Sequence, residues 1–331
     1  MVSIVIPTFN GSQFVRDALT SCFAQSHLAG EVVVADDCST DSTLEVVRSV
    51  VGPSQCPLRV VRLERNSGSP AAPINAGVRE CSGAYVHVLD QDDVLLPRTL
   101  MGNVGALERC PSAGVVVNWS QLLGGDGTLL QRADICSEVI RSGTEVGGGV
   151  LIQGRCMLKL LMRYGMIPLG FPGFTFRRSV FDEVGGVNEG LRVAGDYDLL
   201  CRMMRVSDCF VAPVTGYLRR IHENNITRHR GLMYLELNRI RLQLLRTDDE
   251  LSEDSELSYL VCRQARRSGI RLMAKGRFGD GLKVAALTMD VHASPASGLE
   301  WLARMVQDSL SVAWSSLRRR SVIRDGRLSG I

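Results

Sequence analysis

Residues 84–93 read Ala84-Tyr85-Val86-His87-Val88-Leu89-Asp90-Gln91-Asp92-Asp93, an apolar run that stops on three carboxylates within four positions. A short run this apolar fits a strand buried on both faces, as in a parallel sheet covered by helices. Four other runs share the pattern: 2–7 (VSIVIP), 31–36 (EVVVAD), 58–63 (LRVVRL) and 113–118 (AGVVVN). Helical patterns fill the gaps. About 12–25 sets Phe14, Ala18, Leu19, Cys22 and Phe23 on one side; a second helix follows Ser39-Thr40-Asp41, which offers N-cap side chains, and a third follows Pro97. This alternation over the first 120 residues predicts an α/β fold with a mostly parallel sheet and flanking helices.

Beyond 120 the pattern loosens. Gly124-Gly125 and Gly147-Gly148-Gly149 mark loops in an irregular stretch reaching 170. Order returns with Phe174-Thr175-Phe176, a helix near 179–184, another over 196–206 and two short strands around 209–221. From 228 only helical periodicity remains: one stripe holds Leu232, Leu235, Leu237, Ile240, Leu244 and Leu245, another Leu302, Met305, Val306, Leu310, Ala313, Trp314 and Leu317. The expected division is therefore an α/β domain over 1–225 and a C-terminal helical region over 226–331.

Composition narrows the class. With 45% hydrophobic and 22% charged residues the chain is no disordered polymer, and no apolar stretch approaches the ~20 residues of a membrane span. Met1–Pro7 lacks the marks of a signal peptide, and ten scattered cysteines without a C-x-x-C pair read as core residues of a reducing compartment, so a cytoplasmic location is expected. Residues 1–225 carry 20 basic and 23 acidic side chains, residues 226–331 carry 18 and 12. An acidic front argues against nucleic acid as a partner; a cationic tail suits an anionic membrane surface or solvated helix faces.

In a parallel α/β sheet, ligands collect at the carboxyl ends of the strands. Three such ends are polar: Pro7-Thr8-Phe9-Asn10, Asp36-Asp37-Cys38-Ser39-Thr40-Asp41 and Asp90-Gln91-Asp92-Asp93. The second also reads as a helix cap. The third does not: three carboxylates this close repel, and a hard divalent cation, Mg2+ or Mn2+, relieves the repulsion. Such an ion completes its shell with substrate phosphates, which points to a diphosphate-bearing substrate. Neither G-x-x-x-x-G-K-[ST] nor a G-x-G-x-x-G after the first strand is present, which weakens ATPase and dinucleotide-enzyme readings.

Taken in order, 2–10 (VSIVIPTFN), 32–43 (VVVADDCSTDST), 65–77 (RNSGSPAAPINAG), 83–97 (GAYVHVLDQDDVLLP) and 174–202 (FTFRRSVFDEVGGVNEGLRVAGDYDLLCR) resemble the successive motifs of family 2 glycosyltransferases over about the first 225 residues. The resemblance implies a GT-A nucleotide-sugar-binding fold and inverting transfer from a nucleotide sugar, with a UDP-sugar expected. The implied acceptor is a hydroxyl of a growing glycan or lipid-linked saccharide in cell-surface polysaccharide synthesis. By position it implies nucleotide contacts from Pro7, Thr8, Asn10, Asn66, Gly68 and Asn75, with Asp37 on the base and Asp90 on the ribose side. Asp92, with Asp93, would hold the metal, and Asp196 would be the general base. Asp196 also has a plainer reading as a helix N-terminal charge, and Asp198 as a structural residue. Tyr217–Asn225 resembles the closing Y-R-x-H-x-x-N segment, which implies His222 as a further metal ligand; a lone histidine otherwise reads as a hydrogen-bonding residue. Two departures stand out. Ser69-Pro70-Ala71-Ala72-Pro73 occupies a place where relatives put an arginine or another polar residue, and Gly195-Asp196 stands where Glu-Asp is common.

Two rivals remain at this level: a non-catalytic carbohydrate-binding or scaffold protein on the same fold, and a sugar nucleotidyltransferase. The latter needs a glycine- and basic-rich loop after the first strand, whereas Thr8–Gln13 contains no Lys or Arg. Trp301, Leu302, Met305, Leu310, Trp314 and Leu317 run into Arg318-Arg319-Arg320, Arg324 and Arg327, a pattern that suits peripheral docking at the inner membrane face or packing on the catalytic domain.

Overall fold

A computed structural model describes residues 1–26, 29–133, 137–166, 170–223, 225, 230–288 and 305–309. The chain divides into two compact units, Met1–Ile226 and Thr227–Ile331.

The first unit begins with β1 (Val2–Thr8), α1 (Val15–Phe23), β2 (Glu31–Asp36), α2 (Thr43–Ser49), β3 (Leu58–Arg62), α3 (Ala71–Glu80), β4 (Tyr85–Val88), β5 (Val94–Leu95) and α4 (Thr99–Arg109). It continues with β6 (Ala113–Gly124), β7 (Leu129–Ala133), α5 (Ser137–Arg141), β8 (Thr144–Val146), β9 (Gly149–Ile152), α6 (Gly154–Tyr164), β10 (Phe174–Arg177), α7 (Arg178–Glu183), α8 (Gly195–Met203) and β11 (Asp208–Ile221). Among the described residues these strands form one sheet in the order β3-β2-β1-β4-β10-β6-β11-β9-β8, with β5 on β11 and β7 on β6. The half β3-β2-β1-β4 is wholly parallel, as its apolar runs predict. β10 enters antiparallel between β4 and β6, and β6 pairs β11 in parallel.

On one face, Val2, Ile4 and Ile6 of β1 with Val32 and Val34 of β2 bury against Val15, Ala18, Leu19 and Cys22 of α1 and Val47 of α2. Each such side chain contributes about 1.5–3 kcal/mol by leaving water. On the other face α3 comes close because residue 77 is glycine: a β-carbon there would lie 2.5 Å from Val5 Cγ1.

Three local expectations change. Residues 71–80, between the second helix and the one expected after Pro97, form an additional helix, α3; Pro73 falls in the first turn, where a missing N–H costs nothing. The two short strands at 209–221 are one 14-residue strand, β11, with register shifts between Ala212 and Thr215 and between Thr215 and Tyr217, around Pro213 and Gly216. The irregular stretch 120–170 holds the end of β6, β7 to β9, and helices α5 and α6, with its glycines in the turns at positive φ (Gly127, Gly147, Gly148). Nine described cysteines are free, seven of them buried.

The second unit holds α9 (Arg230–Thr247), α10 (Asp249–Glu253), α11 (Ser255–Met273) and α12 (Phe278–Ala286), with a further helical turn at 305–309. Asp248 and Asp254 cap α10 and α11, accepting the N–H groups of Leu251 and Leu257. Ile240, Leu244 and Leu245 of the first stripe are buried, and Arg266 pairs with Asp308 at 2.9 Å inside the unit. The second stripe lies outside the described residues except for Met305 and Val306. No helix among the described residues is long and apolar enough to cross a membrane.

Candidate active site

The site is built where β1, β2 and β4 end. Thr8 stands in register with Asp36, and its carbonyl receives the Asp37 N–H at 2.7 Å. Asp36 is fully buried and closes its own turn, accepting Ser39 N–H at 3.0 Å with Arg62 at 3.4 Å. Asp37, also buried, is held by one residue: the Ser67 N–H reaches its two carboxylate oxygens at 2.9 and 3.1 Å, and the Ser67 hydroxyl donates at 2.9 Å. Asn66 Nδ2 donates to the Asp37 carbonyl at 3.2 Å, and Gly68 turns the chain at φ 76°, a conformation open to glycine. Asn66-Ser67-Gly68 thus lies against Asp37. Pro7 stays in the ladder opposite Ala35, and Asn10, at φ 48°, bonds the Thr40 N–H through Oδ1 at 2.9 Å.

Beyond β4, Asp90, Asp92 and Asp93 bring one carboxylate oxygen each within 4.8 Å of the others. Burial and the neighbouring charges of Asp92 and Asp196 push the Asp90 carboxyl up to about 7, with Arg219 opposing. Asp93 is also raised well above the usual range, first by burial and then by Asp92 and Asp90, although it accepts the Arg220 N–H at 2.8 Å. Carboxylates driven toward neutrality by burial and each other form a site that a divalent cation neutralises, and an all-oxygen donor set suits Mg2+ or Mn2+. The residues present therefore fit the metal expected from sequence.

Asp92 is gripped from β11 and the residues after it. Its Oδ2 meets His222 Nε2 at 2.6 Å and Asn225 Nδ2 at 3.1 Å, and its carbonyl accepts from Arg220 Nε at 3.0 Å. The Arg220 guanidinium reaches Asp17 at 2.9 Å and lies 4.8 Å from the centre of the Phe14 ring, whose other neighbour is the His222 ring, also at 4.8 Å. His222 thus arrives at the cluster hydrogen-bonded to Asp92.

Asp196 sits in the first turn of α8, its Oδ1 accepting the Tyr197 N–H at 2.8 Å. The neighbouring Tyr197 side chain is buried and donates to the Leu161 carbonyl at 3.1 Å, which fixes the turn. Gly170, at φ 104°, shows what Asp196 faces: a β-carbon there would lie 3.9 Å from both Asp196 Oδ2 and Asp90 Oδ2. The two carboxylates border one small space. Asp198 has a different task, pairing with Arg202 at 2.7 Å while Arg202 donates to the Gly186 carbonyl.

One expected contact gives way. Asn75 lies on α3, and its amide bonds Val187 N–H, the Val187 carbonyl and Glu189 Oε1, each at 2.9 Å. Its polar atoms tie the loop before α8 instead of facing a ligand. Neither Ser67 nor Gln91 stands out in the sequence. Gln91 is the middle residue of a D-x-D pattern that leaves its identity open, and only the adjacent Asn66 and Gly68 drew attention to Ser67.

A family model described as Glycosyl transferase family 2 matches residues 3–185. The succinoglycan biosynthesis protein ExoO of Rhizobium meliloti is 30% identical over 230 residues, covering 69% of this chain and 62% of that protein. The poly(ribitol-phosphate) beta-N-acetylglucosaminyltransferase TarS of Staphylococcus aureus is 37% identical over 100 residues, 30% of this chain and 17% of that protein. The chain thus spans less than two thirds of the length of these relatives. Among solved structures, S. aureus TarS 1–349 in complex with UDP-GlcNAc superposes with a TM-score of 0.65 at 19% identity, covering 96% of this chain and 91% of that one. The mannosyltransferase PcManGT of Pyrobaculum calidifontis, solved with GDP-Man and Mn2+, gives a TM-score of 0.53 at 16% identity, covering 95% and 87%. These likenesses carry the GT-A fold, and with more than half of the chain matched by the family model, the chain belongs to glycosyl transferase family 2.

Proposed function

We propose that the protein is an inverting glycosyltransferase that moves a sugar from a nucleoside diphosphate donor, a UDP-sugar, to a hydroxyl of a growing glycan or lipid-linked saccharide. The observation that carries this reading is the shared space bordered by Asp90 and Asp196 at Gly170, next to an acidic cluster suited to a diphosphate-bound cation. The UDP and UDP-GlcNAc complexes of TarS support uracil as the base. Asp37, with Pro7, Thr8, Asn10, Asn66 and Gly68, serves the nucleoside end, and Asp90 the ribose.

A nucleotide sugar bound along this rim would present the anomeric carbon of its sugar toward Asp196. The acceptor hydroxyl is a weak nucleophile near neutral pH, so the Asp196 carboxylate takes its proton as the oxygen attacks. The new C–O bond forms on one face of the sugar while the bond to the diphosphate breaks on the other, which inverts the configuration, and the nucleoside diphosphate departs as an anion. Asp92 and Asp93 would hold a divalent cation, with His222 beside Asp92, and such a cation would supply Lewis-acid stabilisation of the departing diphosphate. The Trp314 to Arg320 stretch supports attachment to an anionic membrane face where a lipid-linked acceptor would lie.

The direct test is a panel of nucleotide sugars incubated with Mn2+ and scored for donor hydrolysis and for a rise in melting temperature. Hydrolysis of a UDP-sugar above GDP- and ADP-sugars is expected. Failure of every donor both to stabilise the protein and to hydrolyse would overturn the reading.

A further inference from the structure

The acidic loop and the nucleoside loop are joined by a side chain that the proposed reaction leaves unused. Gln91, between Asp90 and Asp92, clamps Phe9 at two points: Oε1 accepts the Phe9 N–H at 3.0 Å, and Nε2 donates to the Phe9 carbonyl at 3.1 Å. An amide that satisfies both backbone groups of one residue acts like a neighbouring strand. Phe9 leads into a segment zipped to residues 39–43. Asn10 N–H donates to Ser39 Oγ at 3.0 Å, Gly11 N–H to Thr43 Oγ1 at 2.8 Å and Ser12 N–H to Asp41 Oδ2 at 3.2 Å, while Asn10 Oδ1 accepts from Thr40. The Asp37 amide hangs on Thr8, one residue before the clamp. Gly11 makes room for this arrangement, since a β-carbon there would lie 2.0 Å from Gln91 Oε1.

We propose that Gln91 is a positioning residue that couples the diphosphate end of the donor site to the nucleoside end, so that a nucleoside diphosphate is bound as one unit. The proposal rests on the nucleotide-donor reading above. Both polar atoms of Gln91 are engaged by Phe9, so removing the amide leaves the carboxylates of Asp90, Asp92 and Asp196 in place. The loss then falls on donor affinity, with little change in the chemical step.

Two substitutions reach the clamp from opposite sides. Gln91→Ala deletes the amide. Gly11→Ala displaces it, because residue 11 is not at positive φ and the atom it meets is the far end of a flexible side chain. Each single variant is expected to weaken UDP binding in the presence of Mn2+ about tenfold by calorimetry. The double variant should be no weaker than the weaker single, because one interaction is removed twice. In the protein without ligand, hydrogen exchange at the Thr40 amide should quicken in both variants while the amides of β2 stay protected. Parental UDP affinity in Gln91→Ala, additive losses in the double variant, or unchanged exchange at Thr40 would each overturn the coupling. Absence of UDP binding by the parent would instead overturn the donor reading, and exchange at Thr40 would still decide whether the two loops are tied.

Discussion

A methyl group added at residue 170 would enter the space that Asp90 and Asp196 share, and would do so from a backbone angle that side chains rarely adopt. Gly170→Ala is therefore expected to lower turnover about 10²-fold, through misplacement of the reacting groups, while UDP binding is retained. Steady-state kinetics beside UDP calorimetry checks this. Asp196→Asn should also cost about 10²-fold or more in kcat with donor affinity nearly intact, because the lost base acts on the acceptor. Lost donor affinity with unchanged kcat would assign Asp196 elsewhere. Asp92 and His222 belong together: Asp92→Asn should abolish most metal-dependent turnover. His222→Ala should weaken Mn2+ affinity about 10–100-fold with little change in melting temperature, whether the ring binds the ion or orients Asp92. Equal Mn2+ affinity in His222→Ala and parent would leave His222 as a plain hydrogen-bonding residue. Asp37 and Asp92 stand out in the sequence because they follow the ends of β2 and β4, and Asp196 only through its motif, since in the first turn of α8 its charge also has a plain structural use. Ser67 and Gln91 do not stand out, since their partners are backbone groups far away in the chain and no local pattern announces such a bond.

At the scale of elements, β4, β10, β6 and α4 enclose a polar cluster in an otherwise apolar layer. His87 Nδ1 meets Thr175 Oγ1 at 2.9 Å, and Asn103 Nδ2 donates to Thr175 Oγ1 at 2.8 Å and to Asn118 Oδ1 at 2.7 Å. Burial lowers the His87 pKa from 6.5 to about 3. The unfolded chain therefore takes up a proton at this site that the folded one refuses, and stability falls as pH drops from 6.5 toward 3. His87→Gln should flatten that acid limb relative to the parent, as denaturant titrations between pH 4 and 7.5 would show. Parallel limbs in the two proteins would place the acid sensitivity elsewhere. Strands β1 to β4 were legible to within a residue or two, since continuous apolar runs have few alternatives, whereas β6 runs six residues past the apolar stretch 113–118. The helix α3 was obscured by Pro70 and Pro73 at its start, and the continuity of β11 by Pro213 and Gly216, which break a pattern without ending the strand.

For the whole molecule, charge is the property readable from sequence alone: an acidic first 225 residues and a basic remainder. Each Arg near an anionic surface contributes about 1 kcal/mol, so the full chain is expected to co-sediment with anionic vesicles in low salt and to release as salt rises. Replacing Arg318, Arg319 and Arg320 together by Gln should lower vesicle binding without changing donor hydrolysis in solution. Vesicle binding equal to that of the parent would argue that these arginines serve the fold.

The place of β10 between β4 and β6 has a consequence for how the chain is made. A ribosome delivers the strands β1 to β4 within the first 88 residues, and they can pair at once as a parallel half-sheet. The outer side of β4, however, waits for Phe174–Arg177, about 85 residues later. At 5–20 residues per second, that is roughly 4–17 s during which a nascent polypeptide carries an open hydrogen-bonding edge. While that edge is open the nascent chain can pair with another copy, so a chaperone that shields nascent strands should raise the yield of folded protein, whereas slowing translation across residues 89–173 lengthens the exposure and should lower it.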